Sequence, residues 1–252
     1  MIGNFFSRRR PDMPPPQIPP GRRVYAVGDI HGCLGLLRKL HRLVLEHAET
    51  EPFNTRNAII YLGDYVDRGD DSRGVIELLL NEPLPDFEHI YLKGNHEESL
   101  LRFLADRHHG AQWFGYGGDA TLQSYGIRAT DAGELADSEA VQRAFAQNLP
   151  PEHLAFFNRL RLSHIEGDYL FVHAGVRPGV ALNDQDEGDM LWIRDEFLRS
   201  NTDFGKVVVH GHSIANAPTV KHNRIGIDTG AFASGCLTCL VLEGTSRRFL
   251  TT

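Results

Sequence analysis

The sequence predicts an α/β fold in which two β-sheets pack as a sandwich flanked by helices. Three observations predict it. From Val24 to about Asp106, short apolar runs alternate with helical patterns, the β-α-β-α-β order of a sheet covered by helices. Five apolar runs along the chain each end in a turn that carries glycine and a metal-binding side chain, and ligands collect at the carboxyl ends of strands in such sheets. After Gly205 the chain turns to closely spaced short strands, enough to suggest a second sheet on the first.

The elements follow in order. Residues 1–21 contain Arg8-Arg9-Arg10, Pro14-Pro15-Pro16 and Pro19-Pro20, a composition that cannot pack a core. They lack the apolar stretch of a secretory signal and read as a flexible, solvated arm, with residues 22–252 as one domain. Val24 to Val27 runs into Gly28-Asp29-Ile30-His31-Gly32, and Leu34, Leu37, Leu40, Val44 and Leu45 then recur at helical spacing. Ala58 to Leu62 runs into Gly63-Asp64-Tyr65-Val66-Asp67-Arg68-Gly69, followed by a helix over Ser72 to Leu80. Ile90 to Lys93 leads into Gly94-Asn95-His96-Glu97 and a helix to Asp106.

Between His108 and Arg161 the strand signal fades, and Glu134 to Asn148 and Pro151 to Leu160 read as helices. Ligand-bearing strands on both sides make this stretch, about 108–161, an insertion and not an independent domain. Tyr169 to Val172 then ends in His173-Ala174-Gly175, and Lys206 to Val209 in His210-Gly211-His212. Thr219 to Lys221, Arg224 to Ile227, Gly235 to Leu242 and Arg247 to Leu250 complete the strands.

With 252 residues, 41% of them hydrophobic and 23% charged, the chain can bury a sizeable core. A net charge of −7 argues against general nucleic-acid binding, which depends on Lys and Arg at phosphates. Bound divalent cations would nevertheless put positive charge where an anionic substrate needs it. Cys33, Cys236 and Cys239 make no disulfide framework and point to a reducing, cytoplasmic setting. The isolated Cys236-x-x-Cys239 pair lacks the partners of a zinc site and reads as buried strand cysteines. No apolar run approaches the ~20 residues that span a bilayer. Oligomeric state leaves no signature.

Asp, His and Asn offer oxygen and nitrogen donors suited to Mn, Fe or Zn, and a carboxylate can bridge two such ions. The ordered blocks GDIHG, GDYVDRG, GNHE, HAG and GH resemble the signature of the bacterial branch of the phosphoprotein phosphatases, within the calcineurin-like metallophosphoesterases. The resemblance runs from about Val24 to about Gly244. It implies a fold of two mixed sheets and two divalent metal ions, manganese foremost, with iron or zinc as alternatives. Asp29 and His31 would bind one metal, Asp64 would bridge, and Asn95, His173 and His212 would bind the other, with a shared hydroxide as nucleophile. His210 does not match a ligand position.

In-line hydrolysis of a phosphate ester also needs fixed cations and a proton donor. A guanidinium at Arg68 can hold two phosphate oxygens. The resemblance makes His96 the general acid, oriented by Asp67, and Arg194, in Leu191-Trp192-Ile193-Arg194, a second phosphate-binding arginine. Histidines 41, 47, 89, 108, 109, 153, 164 and 222 read as structural or surface residues. Trp113, Phe114, Tyr116 and Tyr125 read as core, with base stacking as the alternative. Three functions share these residues: a serine/threonine protein phosphatase, a symmetrical dinucleoside tetraphosphate (Ap4A) hydrolase, and a phosphate-binding adaptor without turnover. Asp67 within GDYVDRG favours the first. Substrates are accordingly a phosphoprotein or a nucleotide phosphate ester.

Overall fold

A computed structural model of the chain describes residues 14–50, 55–127 and 139–252. In chain order its elements are β1 (Arg22–Val27), α1 (Leu34–Glu49), β2 (Arg56–Tyr61), α2 (Ser72–Asn81), β3 (Phe87–Tyr91), α3 (Asn95–Ala105), α4 (Gly110–Gly115) and α5 (Gly118–Ser124). There follow α6 (Glu139–Asn148), α7 (Pro151–Asn158), β4 (Ser163–Glu166), β5 (Tyr169–Val172), α8 (Glu187–Trp192) and α9 (Asp195–Leu198). The chain closes with β6 (Val207–His210), β7 (Thr219–Val220), β8 (Arg224–Gly226), α10 (Ala231–Ser234), β9 (Thr238–Glu243) and β10 (Ser246–Thr251).

Two five-stranded sheets result, ordered β10-β9-β1-β2-β3 and β4-β5-β6-β8-β7. In the first, β1, β2 and β3 are parallel and β9 and β10 antiparallel. In the second, β5, β6 and β8 are parallel while β4 and β7 run against their neighbours. Both sheets are mixed. The alternation of side chains along a strand sorts them: Val24, Ala26, Ala58 and Ile60 face the second sheet, where Tyr169, Phe171, Val207, Val209 and Ile225 meet them. Tyr25, Val27, Ile59 and Tyr61 face the helices α1, α2, α3 and their neighbours. Leu170, Val172 and Val208 on the far side of the second sheet pack on Met190, Ile193 and Phe197. The central strands are buried on both faces, which is why they read as unbroken apolar runs.

The sequence expectations differ from this architecture at four places. The last two strands do not extend the second sheet; β9 returns to the first and pairs with β1, Tyr25 opposite Val241, because β1 has a free edge there and the apolar run of β9 fits a doubly buried position. The strand β4 was not anticipated, since Ser-His-Ile-Glu is half-exposed and polar. Cys239 is buried in β9, but Cys236 lies before the strand and is half-exposed. Finally, the arm is not solvated throughout. Residues 1–13 lie outside the described part, as do 134–138 of the helix expected from Glu134, which is observed from Glu139. Residues 16–18, however, are docked: Ile18 is fully buried among the intersheet side chains. Its N–H donates to Gly244 O at 2.9 Å, and Asp168 N–H donates to Gln17 O at 3.0 Å. Those two acceptors and donors belong to the β9–β10 and β4–β5 turns, so one apolar residue among prolines pins both sheets.

Candidate metal centre and active site

The carboxyl ends of β1, β2 and β3 lie side by side, with Val27 opposite Tyr61 and Tyr61 opposite Tyr91; those of β5 and β6 face them from the other sheet. The turns beyond these ends are tight. Among the described residues six non-glycine residues have positive φ, and five of them are His31 (46°), Asp64 (51°), Asp67 (72°), Arg68 (69°) and His212 (60°). Left-handed backbone costs of order 1–3 kcal/mol per residue and is found where surrounding structure enforces it. At Asp64 the enforcing group is Glu97. Its buried carboxylate accepts from the N–H groups of Gly94 (2.9 Å), Asp64 (2.9 Å), Tyr65 (2.8 Å) and Val66 (3.3 Å), joining the turns after β2 and β3. Burial and the nearby Asp64 push its pKa up to about 8.

All six expected ligands are buried, and they converge. Asp64 lies between two groups: Oδ2 is 3.6 Å from His31 Nε2, and Oδ1 is 3.4 Å from His173 Nε2. The sets His31-Asp64-His96 and Asp64-His173-His212 each bring their donor atoms within 4.8 Å of one another. Asn95 Oδ1 is 2.9 Å from His173 Nε2. Asp29 joins from β1, its carboxylate accepting from His212 N–H at 3.0 and 3.2 Å, so the sheets are tied at this point. His210 points away, with Nδ1 3.0 Å from Gly211 O.

The donor chemistry fits divalent cations. His31 Nδ1 donates to Val66 O and His173 Nδ1 to Leu62 O, each at 2.9 Å, which turns the Nε2 lone pairs inward. His212 Nε2 is buried and has no hydrogen-bond partner. Burial lowers the pKa of His31 to about 3 and of His212 to about 2, and lowers His173 as well, so all three are neutral donors. Burial, together with the charges of Asp228 and Asp64, raises Asp29 well above the usual carboxylate range, and burial raises Asp228 to about 6. The ligand set itself, carboxylates with neutral imidazoles, carries no positive charge, which cations would supply. The turns are shaped to it: a Cβ at Gly94 would land on Asp64 Oδ1, and one at Gly211 on Asp29 Oδ1.

His96 differs from its neighbours. Burial alone would lower its pKa, but the charge of Asp64 and the hydrogen bond to Asp67 outweigh it and the pKa is raised. Its Nδ1 is 2.6 Å from Asp67 Oδ2, and its Nε2 faces the centre, 3.8 Å from Asp64 Oδ2. Asp67 is completely buried and fully engaged, accepting also from Trp113 Nε1 at 2.9 Å and Thr121 Oγ1 at 2.6 Å. Half-buried Arg68 places Nη1 3.0 Å from His31 Nε2 and lies 4.8 Å from the Phe232 ring. Arg194 stands at the exposed rim, its Nη1 donating to His212 O at 3.2 Å. The expected catalytic residues and ligands therefore occupy one place.

Residues 22–232 match the profile of the calcineurin-like phosphoesterases. The chain belongs to that family. It is a metal-dependent phosphoric ester hydrolase, and this family's use of divalent metals accords with the donor groups above. The phosphoesterase is 30% identical over 225 residues to serine/threonine-protein phosphatase 2 of Escherichia coli K12, covering 86% of this chain and 91% of that protein. It is 25% identical over 232 residues to the asymmetrical bis(5'-nucleosyl)-tetraphosphatase PrpE of Bacillus thuringiensis (strain Al Hakam), covering 85% and 88%. The solved structure of a candidate diadenosine tetraphosphatase shares the fold, with a TM-score of 0.61, 21% identity and coverage of 94% and 98%.

Several residues that shape the phosphoesterase site were given no part in it by the sequence. Glu97 had a signal, the capping-box spacing from Gly94. Trp113 and Thr121 had none, since they reach Asp67 from 46 and 54 residues away. Trp113 and Tyr125 are core residues as expected, but Tyr116 is half-buried beside His96, with ring centroids 6.0 Å apart.

Proposed function

We propose that this phosphoesterase is a serine/threonine protein phosphatase. Asp29, His31 and Asp64 would hold one divalent metal and Asp64, Asn95, His173 and His212 the other. Bound there, the pair would supply a hydroxide nucleophile at neutral pH and neutralise phosphoryl charge. Arg68 and Arg194 would hold the phosphoryl oxygens, and His96 Nε2 would deliver a proton to the leaving oxygen while Asp67 fixes the ring. Trp113 and Thr121 hold Asp67 in turn. Manganese is the proposed metal, since carboxylate, amide and imidazole donors without thiolate suit it; iron and zinc accept the same donors. Three free cysteines support a cytoplasmic setting, and among the described residues no helix is long and apolar enough to cross a membrane.

The observation that carries the reading is the 2.6 Å contact between His96 and Asp67. A seryl or threonyl alkoxide is a poor leaving group and needs a firmly held acid. Cleavage of a nucleoside tetraphosphate expels a phosphate oxygen, which needs less proton donation. The name of the Escherichia coli relative, a serine/threonine-protein phosphatase, supports the same choice. A tetraphosphate hydrolase is the second reading, favoured by the name of the Bacillus relatives. Supplying manganese-loaded protein with phosphoseryl peptides and Ap4A side by side separates them. Higher kcat/KM on the peptides is expected. Much faster cleavage of Ap4A overturns the proposal, to ADP alone if symmetrical and to ATP with AMP if asymmetrical. Two bound metals without turnover of any ester would instead indicate an adaptor.

A further inference from the structure

The two arginines assigned to the phosphoryl group come from different layers. Arg68 follows β2 of the first sheet, whereas Arg194 follows α8, which packs on the second. Met190 and Ile193 lie against Leu170, Val172 and Val208, and Met190 O accepts from Ala174 N–H at 2.8 Å. The acid His96 stands on α3, at the end of the first sheet. A phosphoryl group held between Arg194 and His96 therefore needs the two layers in register. Arg194 is exposed and meets the protein at His212 O, at 3.2 Å. Two side-chain contacts cross to α8 from β3 and α3. Lys93 Nζ lies 3.0 Å from Glu187 Oε1, but Glu187 is exposed and solvent weakens such a pair. The second is sheltered: Trp192 Nε1 donates to Glu98 Oε2 at 2.6 Å. Glu98 is 8% exposed, stands two residues after His96, and holds Arg102 through its other oxygen at 2.7 Å.

We infer that Glu98 and Trp192 form a strut between the layers that positions Arg194 for the phosphoryl group. The inference rests on Arg194 as a phosphoryl holder in the reading above, and both strut residues are positioning residues that act through it. An indole has a single N–H, so its bond to Glu98 fixes the direction of the ring. Leu191 and Ile193 on either side are buried, which leaves the backbone little freedom, and Arg194 comes two residues after the ring. The first four residues of α3 then carry the proposed ligand Asn95, the acid His96, the turn-holding Glu97 and the tie to the distant arginine. A hydrogen bond to a carboxylate is stronger than one between neutral groups. Displacing a positioning group by about 1 Å can cost on the order of 10²-fold in rate. Loss of the strut leaves the backbone and core anchors of α8 in place, so it should cost less than loss of Arg194 itself.

The test measures the affinity of manganese-loaded protein for inorganic phosphate by calorimetry, a reading independent of turnover. Trp192→Phe keeps an aromatic ring and removes the N–H; it is expected to weaken phosphate binding about 10-fold, inside the range for a misplaced positioning group. Glu98→Leu should do the same, whereas Glu98→Gln keeps an acceptor for the indole and should stay near the wild-type affinity. Arg194→Ala should weaken binding at least as much as Trp192→Phe, and adding Trp192→Phe to it should change nothing further. A general loosening of the site would instead weaken the double variant again. Wild-type affinity in Trp192→Phe beside a weakened Arg194→Ala overturns the strut. So does an equal loss in Glu98→Gln and Glu98→Leu, or a double variant in which the two losses add. Full phosphate affinity in Arg194→Ala overturns the inference by a separate route, because Arg194 then leaves the phosphoryl site and the reading on which the strut rests fails with it.

Discussion

His31 and His96 sit with ring centroids 4.6 Å apart, yet their surroundings move their pKa values in opposite directions. His31 donates an Nδ1–H hydrogen bond to a backbone carbonyl, and burial keeps it neutral; His96 donates from Nδ1 to a carboxylate, and its pKa is raised. One residue type thus serves as ligand and as acid, separated by what its second nitrogen meets. His96→Asn should lower kcat on a phosphoseryl substrate about 10²- to 10⁴-fold while metal content, measured by elemental analysis, stays near two per chain. Asp64→Asn should instead lose metal; equal loss in both variants would contradict the division of roles. The pH profile gives a second check. Because Asp67 raises the acid's pKa, the protonated form persists to higher pH and activity falls as pH rises through that value. Asp67→Asn should therefore move the basic limb to lower pH, and an unmoved limb would remove Asp67 from the role. These residues were legible because they lie in three short blocks. Trp113 and Thr121 were not, because only the folded insertion brings them to Asp67.

The elements were legible where local pattern and burial agree. The central strands are buried on both faces, so apolar runs marked them, and the positions of the turns followed from glycine. Topology was harder: nothing in the run Leu237 to Leu242 says which edge it joins, and pairing with β1 is decided by the free edge left there. The six- and seven-residue helices α4 and α5 are too short to show a periodic face. The strand–turn units also explain how the centre is divided. Gly211 closes the turn after β6 against Asp29, whereas Gly94 closes the turn after β3 against Asp64. Adding one methyl group at each should therefore have unequal effects. Gly211→Ala, which displaces the carboxylate assigned to one metal, should reduce bound manganese from two ions toward one. Gly94→Ala, which presses on the bridge, should abolish both. Elemental analysis of the two proteins after identical loading and desalting distinguishes these outcomes, and the same stoichiometry in each would refute the bridge.

At the scale of the whole molecule, the two sheets are fastened at opposite ends. At the carboxyl ends of β1 and β2 the proposed ligands come from both sheets: Asp29, His31, Asp64 and Asn95 from the first, His173 and His212 from the second. At the other end, Ile18 fills the sandwich and its neighbours hydrogen-bond to turns of both sheets. Metal binding to the native centre should stabilise the fold by linkage, about 2.7 kcal/mol when free metal is a hundredfold above Kd. Thermal unfolding should show this directly. Manganese should raise Tm, excess EDTA followed by desalting should lower it and abolish activity, and Asp64→Asn should remove the metal-dependent shift. Ile18→Ala should cost about 2–5 kcal/mol, as for other buried aliphatic truncations, because it empties a fully buried position. Since that fastening lies away from the ligands, the variant should keep the same increment in Tm on adding manganese. Loss of the increment would mean that the arm end and the metal end are coupled through the sandwich, and that residues far from the strand tips help to set metal affinity.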